Sequence, residues 1–463
     1  MKPIDIQILP DESQSLYAAQ PKVYPREIDG RFARLRIAAV FTLLGIFYVF
    51  PWLRWGGHQA VLFDLPARKF HVFAMTFWPQ DFFWLTWLLI IAAVSLFFFT
   101  ALAGRLWCGY ACPQTVWTEV FLWIERVCEG RRNERIKLDA GPWTREKIVR
   151  KGSKQALWIL FAAWTGFTFV GFFTPVLDLA RGVASLSLSG WEGFWIVFYG
   201  FATYGNAGYL REQVCKYMCP YARFQSAMFD HDTLIVSYDS TRGEPRGARK
   251  RKVDPRALGL GDCVECHACV QVCPTGIDIR EGLQIECIAC ALCIDACDGV
   301  MDKMNYPRGL IRYTTENMLI GKPRRVIRLR TILYATLLTA LLVTFAWGIT
   351  HRSALIVEVL RDRNALYREA ADGGIENSYT VKVVNKSDVV QDIHFSVPNE
   401  SAAQLIGKVS VSVAAGDVGS FPITLRAPHD THGGMRSIEL TATNADRSIS
   451  VSQTARFYAP EVK

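Results

Sequence analysis

The chain has 463 residues, of which 51% are apolar and 21% charged, with 52 Lys plus Arg against 43 Asp plus Glu and a net charge of +9. That is too long for one ordinary core and too apolar for a disordered chain. Thirteen clustered Cys in a chain this long point to metal ligation rather than to a disulfide-stapled secreted fold.

The first 30 residues are polar and carry Pro3, Pro10, Pro21 and Pro25. They hold no signal peptide, so the mature protein is expected to keep this segment. Five stretches downstream have the length and apolarity of bilayer spans, namely 35–53, 83–103, 156–176, 191–210 and 331–350. The fourth, rich in Gly and Tyr and holding Glu192, is the weakest. Lys and Arg are plentiful before the first span, between the second and third, and after the fourth. They are sparse elsewhere, with only Arg181 between the third and fourth. This places the N-terminus and both long basic loops in the cytoplasm and the tail after His351 on the other side. The basic run Arg246, Arg249, Lys250, Arg251 and Lys252 fits topology and anionic lipid, not nucleic acid.

The first pair of spans ends in Cys108-Gly-Tyr-Ala-Cys112-Pro113 and the second in Cys215-Lys-Tyr-Met-Cys219-Pro220. The repeat suggests a duplicated hairpin that brings the two signatures close together. At a spacing of four the paired cysteines would share a helix face. A helix start and the cations Arg105, Arg211 and Lys216 would favour their thiolates. Four soft sulfurs suit Cu(I), zinc or a further iron–sulfur centre, and copper suits a one-electron donor. Cys128 stands alone and reads as structural. His58, His71, Met75 and His351 fall on the far side of the membrane and read as surface or packing residues.

The most specific pattern is C-x2-C-x2-C-x3-C, which occurs twice: Cys263, Cys266, Cys269, Cys273, then Cys287, Cys290, Cys293, Cys297. This is the spacing of a two-cluster ferredoxin, in which the fourth cysteine of each run serves the other cluster. Cys263, Cys266, Cys269 and Cys297 are therefore assigned to one 4Fe–4S centre, and Cys273, Cys287, Cys290 and Cys293 to the other. Zinc sites rarely repeat three short spacings in tandem. Asp298 replaces the usual Pro after the last cysteine, without touching a ligand. Cys263-Val-Glu-Cys266-His267 mimics a haem attachment motif, but its cysteines are already engaged, so His267 reads as a hydrogen-bonding residue. No G-x-G-x-x-G follows a strand, so a nicotinamide or flavin site is not expected.

From about residue 354, alternating runs such as Tyr379-Thr-Val-Lys-Val and Val409-Ser-Val-Ser-Val predict antiparallel strands in an immunoglobulin-like sandwich without a disulfide. The expected fold is a multi-domain membrane protein: a five-span α-helical bundle, an inserted ferredoxin domain and a C-terminal β-sandwich. Its domains are a cytoplasmic segment 1–34, a four-span membrane domain 35–225, a ferredoxin domain 226–330, a fifth span 331–350 and a periplasmic domain 351–463.

Several stretches resemble the CcoG/FixG type of cytochrome c oxidase accessory protein, a membrane polyferredoxin. They are Ala60-Val-Leu-Phe-Asp-Leu-Pro-Ala-Arg-Lys69, Phe77-Trp-Pro-Gln-Asp-Phe82, both paired-Cys-Pro signatures, both ferredoxin runs and Asn377-Ser-Tyr-Thr-Val-Lys-Val-Val-Asn385. The resemblance implies a bacterial inner-membrane protein that reduces Cu(II) to Cu(I) for the copper–haem centre of a cbb-type oxidase. Cys108, Cys112, Cys215 and Cys219 would be the reducing site. Partners would be membrane lipid, an unidentified electron donor, the oxidase catalytic subunit, copper-handling proteins and, in a homodimer, a second copy; nucleic acid would not be one. Two rivals are a quinol-linked polyferredoxin conduit and a non-enzymatic redox-sensing assembly factor.

Overall fold

The computed structural model describes residues 22–460 except 252–253, 364, 388, 399–402 and 429–433. Residues 1–21 of the expected N-terminal segment, and Lys252 of the basic run, lie outside the described residues. The chain divides into two compact units, Met1–Ala340 and Leu341–Lys463.

In the first unit, α1 (Arg31–Val49) runs into a short turn at Pro51. Its orphan N-terminal N–H groups are satisfied from far along the chain: the Asp295 carboxylate accepts from Phe32 N–H and, at 2.8 Å, from Ala33 N–H. A two-stranded hairpin and a three-stranded sheet follow, and Gln59 stitches them to a distant turn through Gly171 O and Val176 N–H. Their strands, Val61–Asp64, Lys69–Val72 and Met75–Phe77, are too short to announce themselves by alternation. Helix α2 (Phe82–Ala103) stops at Gly104, whose φ of +55° no helix residue adopts.

After the short α3 (Leu106–Tyr110), Pro113 opens α4 (Pro113–Glu129), and α5 (Arg132–Ala140) leads to α6 (Arg145–Val170), capped by Thr144. Then come α7 (Val176–Ala184) and α8 (Gly190–Thr203), the latter opened by a Ser189–Glu192 capping box and continued by a wide π-turn over Tyr204–Leu210. Helices α6 and α8 approach closely at glycines: a Cβ on Gly166 would run into the Ile196 carbonyl, leaving it no room, and one on Gly200 would stand 3.3 Å from Ala162 O.

Three helices among the described residues are long and apolar enough to cross a membrane: Arg31–Trp52, Pro79–Ala103 and Leu329–Thr350. The third and fourth expected spans take another form. The first half of α6 carries Arg145, Lys147, Arg150, Lys151 and Lys154, and its apolar half ends at Gly171. The α-helical part of the fourth is 14 residues long.

The two ferredoxin runs lie around the antiparallel pair Ile235–Tyr238 and Ile311–Thr314 and the helix Leu292–Met304. Val236, Ile279, Ile294, Met301, Leu310 and Ile311 are buried among the cysteines there. This region is fastened to the helices by Asp295 at α1 and by Arg26 N–H to Gln271 O at 2.7 Å.

The second unit is a β-sandwich. One sheet runs Gln404–Gly407, Val418–Ala427, Ile375–Asn385, Leu355–Arg361, and the other Ser410–Val413, Gln391–Ser396, Gly434–Asn444, Ser450–Ala459. Ile375, Asn377, Tyr379, Val381 and Val383 point inward on alternate positions, as period two demands. Across the core, Tyr379 Oη donates to Arg456 O and Asn377 Nδ2 to Tyr458 O, each at 2.8 Å.

Candidate functional site

Both ferredoxin runs fold into the same loop. Glu265 and His267 flank Cys266 with φ of +54° each, and Ala289 and Ala291 flank Cys290 with φ of +52° and +61°. Left-handed backbone at residues with side chains is strained and clusters at functional sites. Such turns also direct successive N–H groups into a concavity that suits an anion, iron–sulfur centres included.

None of the thirteen cysteines is in a disulfide. Charge interactions link the cysteines of one run to those of the other. A charge on Cys297 is opposed by Cys269, Cys263 and Cys266. A charge on Cys287 or Cys293 is opposed by Cys290 and Cys273, and one on Cys293 also, last, by Cys269. The structure thus brings the fourth cysteine of each run to the other run. Burial, reinforced by these neighbours, pushes the Cys287 and Cys297 thiols up to about 12 and Cys269 up to about 11. Thiols so raised are poor acids that keep their protons at pH 7 unless a metal cation takes the proton's place, as an iron cube would. Eight cysteinyl sulfurs in two groups of four, each beside an anion-binding backbone, fit two 4Fe–4S centres. Among the described residues no group of three or more His, Cys, Asp or Glu closes round a single metal ion, whose tetrahedral sulfurs would stand roughly 4 Å apart.

The paired-Cys-Pro signatures form two matching turns. Cys108 lies in α3 and Cys215 in the π-turn Val214–Met218. Cys112 and Cys219 are the extended residues ahead of α4 and of α9 (Pro220–Ala227). The expected shared helix face is corrected here, because Pro at the first helical position forces the preceding residue out of helical backbone. The four cysteines nevertheless share one neighbourhood: charges on Cys112, Cys215 and Cys219 all act against Cys108. The expected thiolate stabilisation is also reversed. Burial pushes Cys108 up to about 12 and Cys215 up to about 11, and Arg105 only partly offsets it. Arg211 is committed elsewhere, to Glu125 at 2.9 Å.

The first turn lies directly on the second ferredoxin run. A Cβ on Gly109 would stand 2.8 Å from Ile288 O and 2.9 Å from Cys290 Cα. Tyr110 Oη donates to Cys290 O at 3.2 Å, and Cys108 packs against Ile288 and Cys290. Behind it, Thr115 Oγ1 donates to Cys108 O at 2.6 Å, and the Cys108 thiol donates to Gln225 Oε1 at 3.3 Å. Arg105 reaches the Ile285 and Ala222 carbonyls.

Gln225, Thr115 and the guanidinium contacts were not singled out by the sequence: Gln225 lies 117 residues from Cys108, and the bond from Thr115, seven residues along, is to a backbone carbonyl that no residue pattern marks. Cys128 is half-buried on α4 and joins neither set. His267 accepts from Arg280 Nη2 at 2.9 Å, and Asp298 accepts from Gly309 N–H. His58 and His71 stack with ring centroids 4.4 Å apart; burial, then the charges of His58 and Lys69, holds His71 below its ordinary value.

A family model described as a 4Fe-4S dicluster domain matches residues 210–316, and one described as a 4Fe-4S binding domain matches 81–129. A third, the IG-like fold at the C-terminal of FixG, matches 345–460. The chain is 40% identical over 427 residues to nitrogen fixation protein FixG of Rhizobium meliloti, covering 84% of this chain and 82% of that one. It is 40% identical over 436 residues to protein RdxA of Cereibacter sphaeroides, covering 90% and 91%. Protein RdxB of the same organism is 43% identical over 412 residues, covering 84% of each. A crystal structure of a FixG-related protein from Vibrio parahaemolyticus matches 23% of this chain and 98% of its own, at 28% identity and a TM-score of 0.22.

Proposed function

The chain belongs to the FixG family, and on that footing we propose that it is a bacterial inner-membrane cupric reductase. It carries single electrons from a reduced partner, through its two ferredoxin-type centres, to Cys108, Cys112, Cys215 and Cys219. One electron delivered there converts a visiting Cu(II) to Cu(I), which soft sulfur favours, for assembly of a cbb-type oxidase. The topology in this reading has five spans, with α6 and α8 completing the bundle, the ferredoxin region cytoplasmic and the sandwich periplasmic.

The observation that carries the reading is the seat of Gly109 on Cys290, which leaves one van der Waals layer between the second ferredoxin run and the first paired-cysteine turn. The test is anaerobic reduction of Cu(II) by the purified protein, followed with a Cu(I)-specific chelating dye. Ser at all four turn cysteines is expected to abolish reduction while leaving the iron–sulfur absorbance. Reduction at the parental rate in that variant overturns the assignment.

A second reading rests on the 4Fe-4S binding domain matched over 81–129, which takes in Cys108 and Cys112. In it the four turn cysteines hold a further cluster. Iron analysis separates the two, with about eight irons per chain for two cubes and about twelve for three.

A further inference from the structure

Gln225, on α9, is fully buried behind the first paired-cysteine turn, 0% exposed. Its amide is fixed from the nitrogen end. Nε2 donates to Tyr221 Oη, to Gly104 O at 3.3 Å and to Thr100 Oγ1 at 3.4 Å. A backbone carbonyl can only accept, so the contact with Gly104 O decides which end of the amide is nitrogen. Oε1 is thereby turned to Cys108, whose thiol donates to it at 3.3 Å. Among the described residues Cys108 is the only donor to that oxygen.

A metal ion that binds Cys108 takes the place of its thiol proton. Oε1 would then face an electron-rich sulfur with its donor gone, a costly condition for a buried acceptor. Turning the amide over gains nothing, because Oε1 would meet Gly104 O. A cation shared by the sulfur and the oxygen satisfies both. The spacing suits one: sulfur and oxygen bound side by side on one ion, at about 2.3 and 2.1 Å, stand roughly 3.1–3.6 Å apart. Cys108 and Gln225 hold that spacing before any ion binds. Among the described residues no three cysteines yet close round one ion.

The donor types also separate the two states of copper. Cu(II) takes oxygen and nitrogen donors in tetragonal geometry, whereas Cu(I) prefers soft sulfur. An amide oxygen beside a cysteine therefore bonds the ion that arrives and lets go of the ion that leaves.

Resting on the cupric reductase reading, we propose that Gln225 Oε1 is a copper ligand: with Cys108 Sγ it receives Cu(II), and it is released on reduction. One electron passes from a reduced ferredoxin-type centre to the ion. The centre is oxidised, Cu(II) becomes Cu(I), the Cu–O contact breaks and the sulfurs keep the ion. Protons leave earlier, to water, from the thiols that bind it.

The experiment is anaerobic reduction of Cu(II) by the full-length protein in detergent, with iron counted in every sample. Beside it, Cu(I) affinity is measured by competition with a Cu(I)-specific chelating dye. Gln225→Leu removes the oxygen. It raises KM for Cu(II) about 10–100-fold, the range for a metal site that loses an oriented partner, and leaves Cu(I) affinity at the parental value. Gln225→Glu keeps an oxygen in place and adds charge. It holds KM at the parental value or below and lowers kcat, because Cu(II) is now bound more firmly relative to Cu(I). A role in packing alone moves Cu(II) and Cu(I) binding together in both variants. A parental KM in Gln225→Leu, or a Cu(I) affinity that falls as far as KM rises, overturns the proposal. Where Gln225→Leu loses iron, Gln225→Glu decides alone, and a raised KM there overturns it. A wild type that reduces no Cu(II) sinks the cupric reductase reading and this ligand with it; a wild type that does so, beside an unaffected Gln225→Leu, sinks the ligand alone.

Discussion

The two paired-cysteine turns share a spacing, a capping residue and a Pro, yet they are held by different parts of the molecule. The first is clamped to the ferredoxin region through Gly109, Tyr110 and Arg105. The second hangs from α4: Arg211 pairs with the fully buried Glu125, and Gln114 Nε2 donates to Arg211 O at 3.1 Å. Where the first turn has Gly109, the second has Lys216, and the adjoining Tyr217 and Met218 are each 60% exposed. A repeated motif can thus serve as a joint at one copy and a mouth at the other, with the neighbours deciding which.

The largest test of this contrast is Glu125→Ala. It strips a carboxylate from Arg211, Arg135 and Lys22, and breaking a buried pair costs about 3–5 kcal/mol. Thermal unfolding in detergent reports the loss, and faster alkylation at Cys215 than at Cys108 would localise it to the second turn. The same carboxylate predicts an acid limit. Burial alone would raise Glu125, but Arg211, Lys22 and Arg135 together bring it down to about 2. The folded state then binds fewer protons than the unfolded one, so this stabilisation is complete at neutral pH. It fades as the pH falls from about 4.3 towards that lowered value, and Glu125→Gln should flatten the decline.

Next comes Gly109→Lys, which copies the second turn into the first. The contact atoms are backbone and cannot swing away, so overpacking of about 1–3 kcal/mol is expected, with iron lost from the second ferredoxin set. The reciprocal Lys216→Gly should retain its iron. Thr115→Val removes the bond to Cys108 O and is expected to cost about 1 kcal/mol, measured by the same unfolding curve. The smallest effect belongs to Met218→Ala, within about 0.5 kcal/mol; a larger change would mean the second turn is as tightly built as the first.

Much of this was written into local spacing. The two cysteine runs specify their loops, and alternation in Ile375–Asn385 specifies an inward face of a sheet. Apolar length specified α2 and Leu329–Thr350. Periodicity misled where a local breaker outweighed it: Pro113 and Pro220 undo the helical face expected of cysteines four apart. It was silent where the partner is remote. Nothing near Arg36 in the chain announces its partner, Glu119, which the fold brings to 3.0 Å. Asp295 reads as one more acid until it caps α1, more than 250 residues earlier.

The four left-handed residues around Cys266 and Cys290 carry one more consequence. Glu265, His267, Ala289 and Ala291 each have a side chain that disfavours that backbone by roughly 1–2 kcal/mol. An iron cube held by the neighbouring cysteines would brace these bends, and the loops would then act as sprung clasps. Chelating the metal should let them relax, and deuterium would then enter the amides of 263–269 and 287–293 quickly while those of the β-sandwich keep their protons.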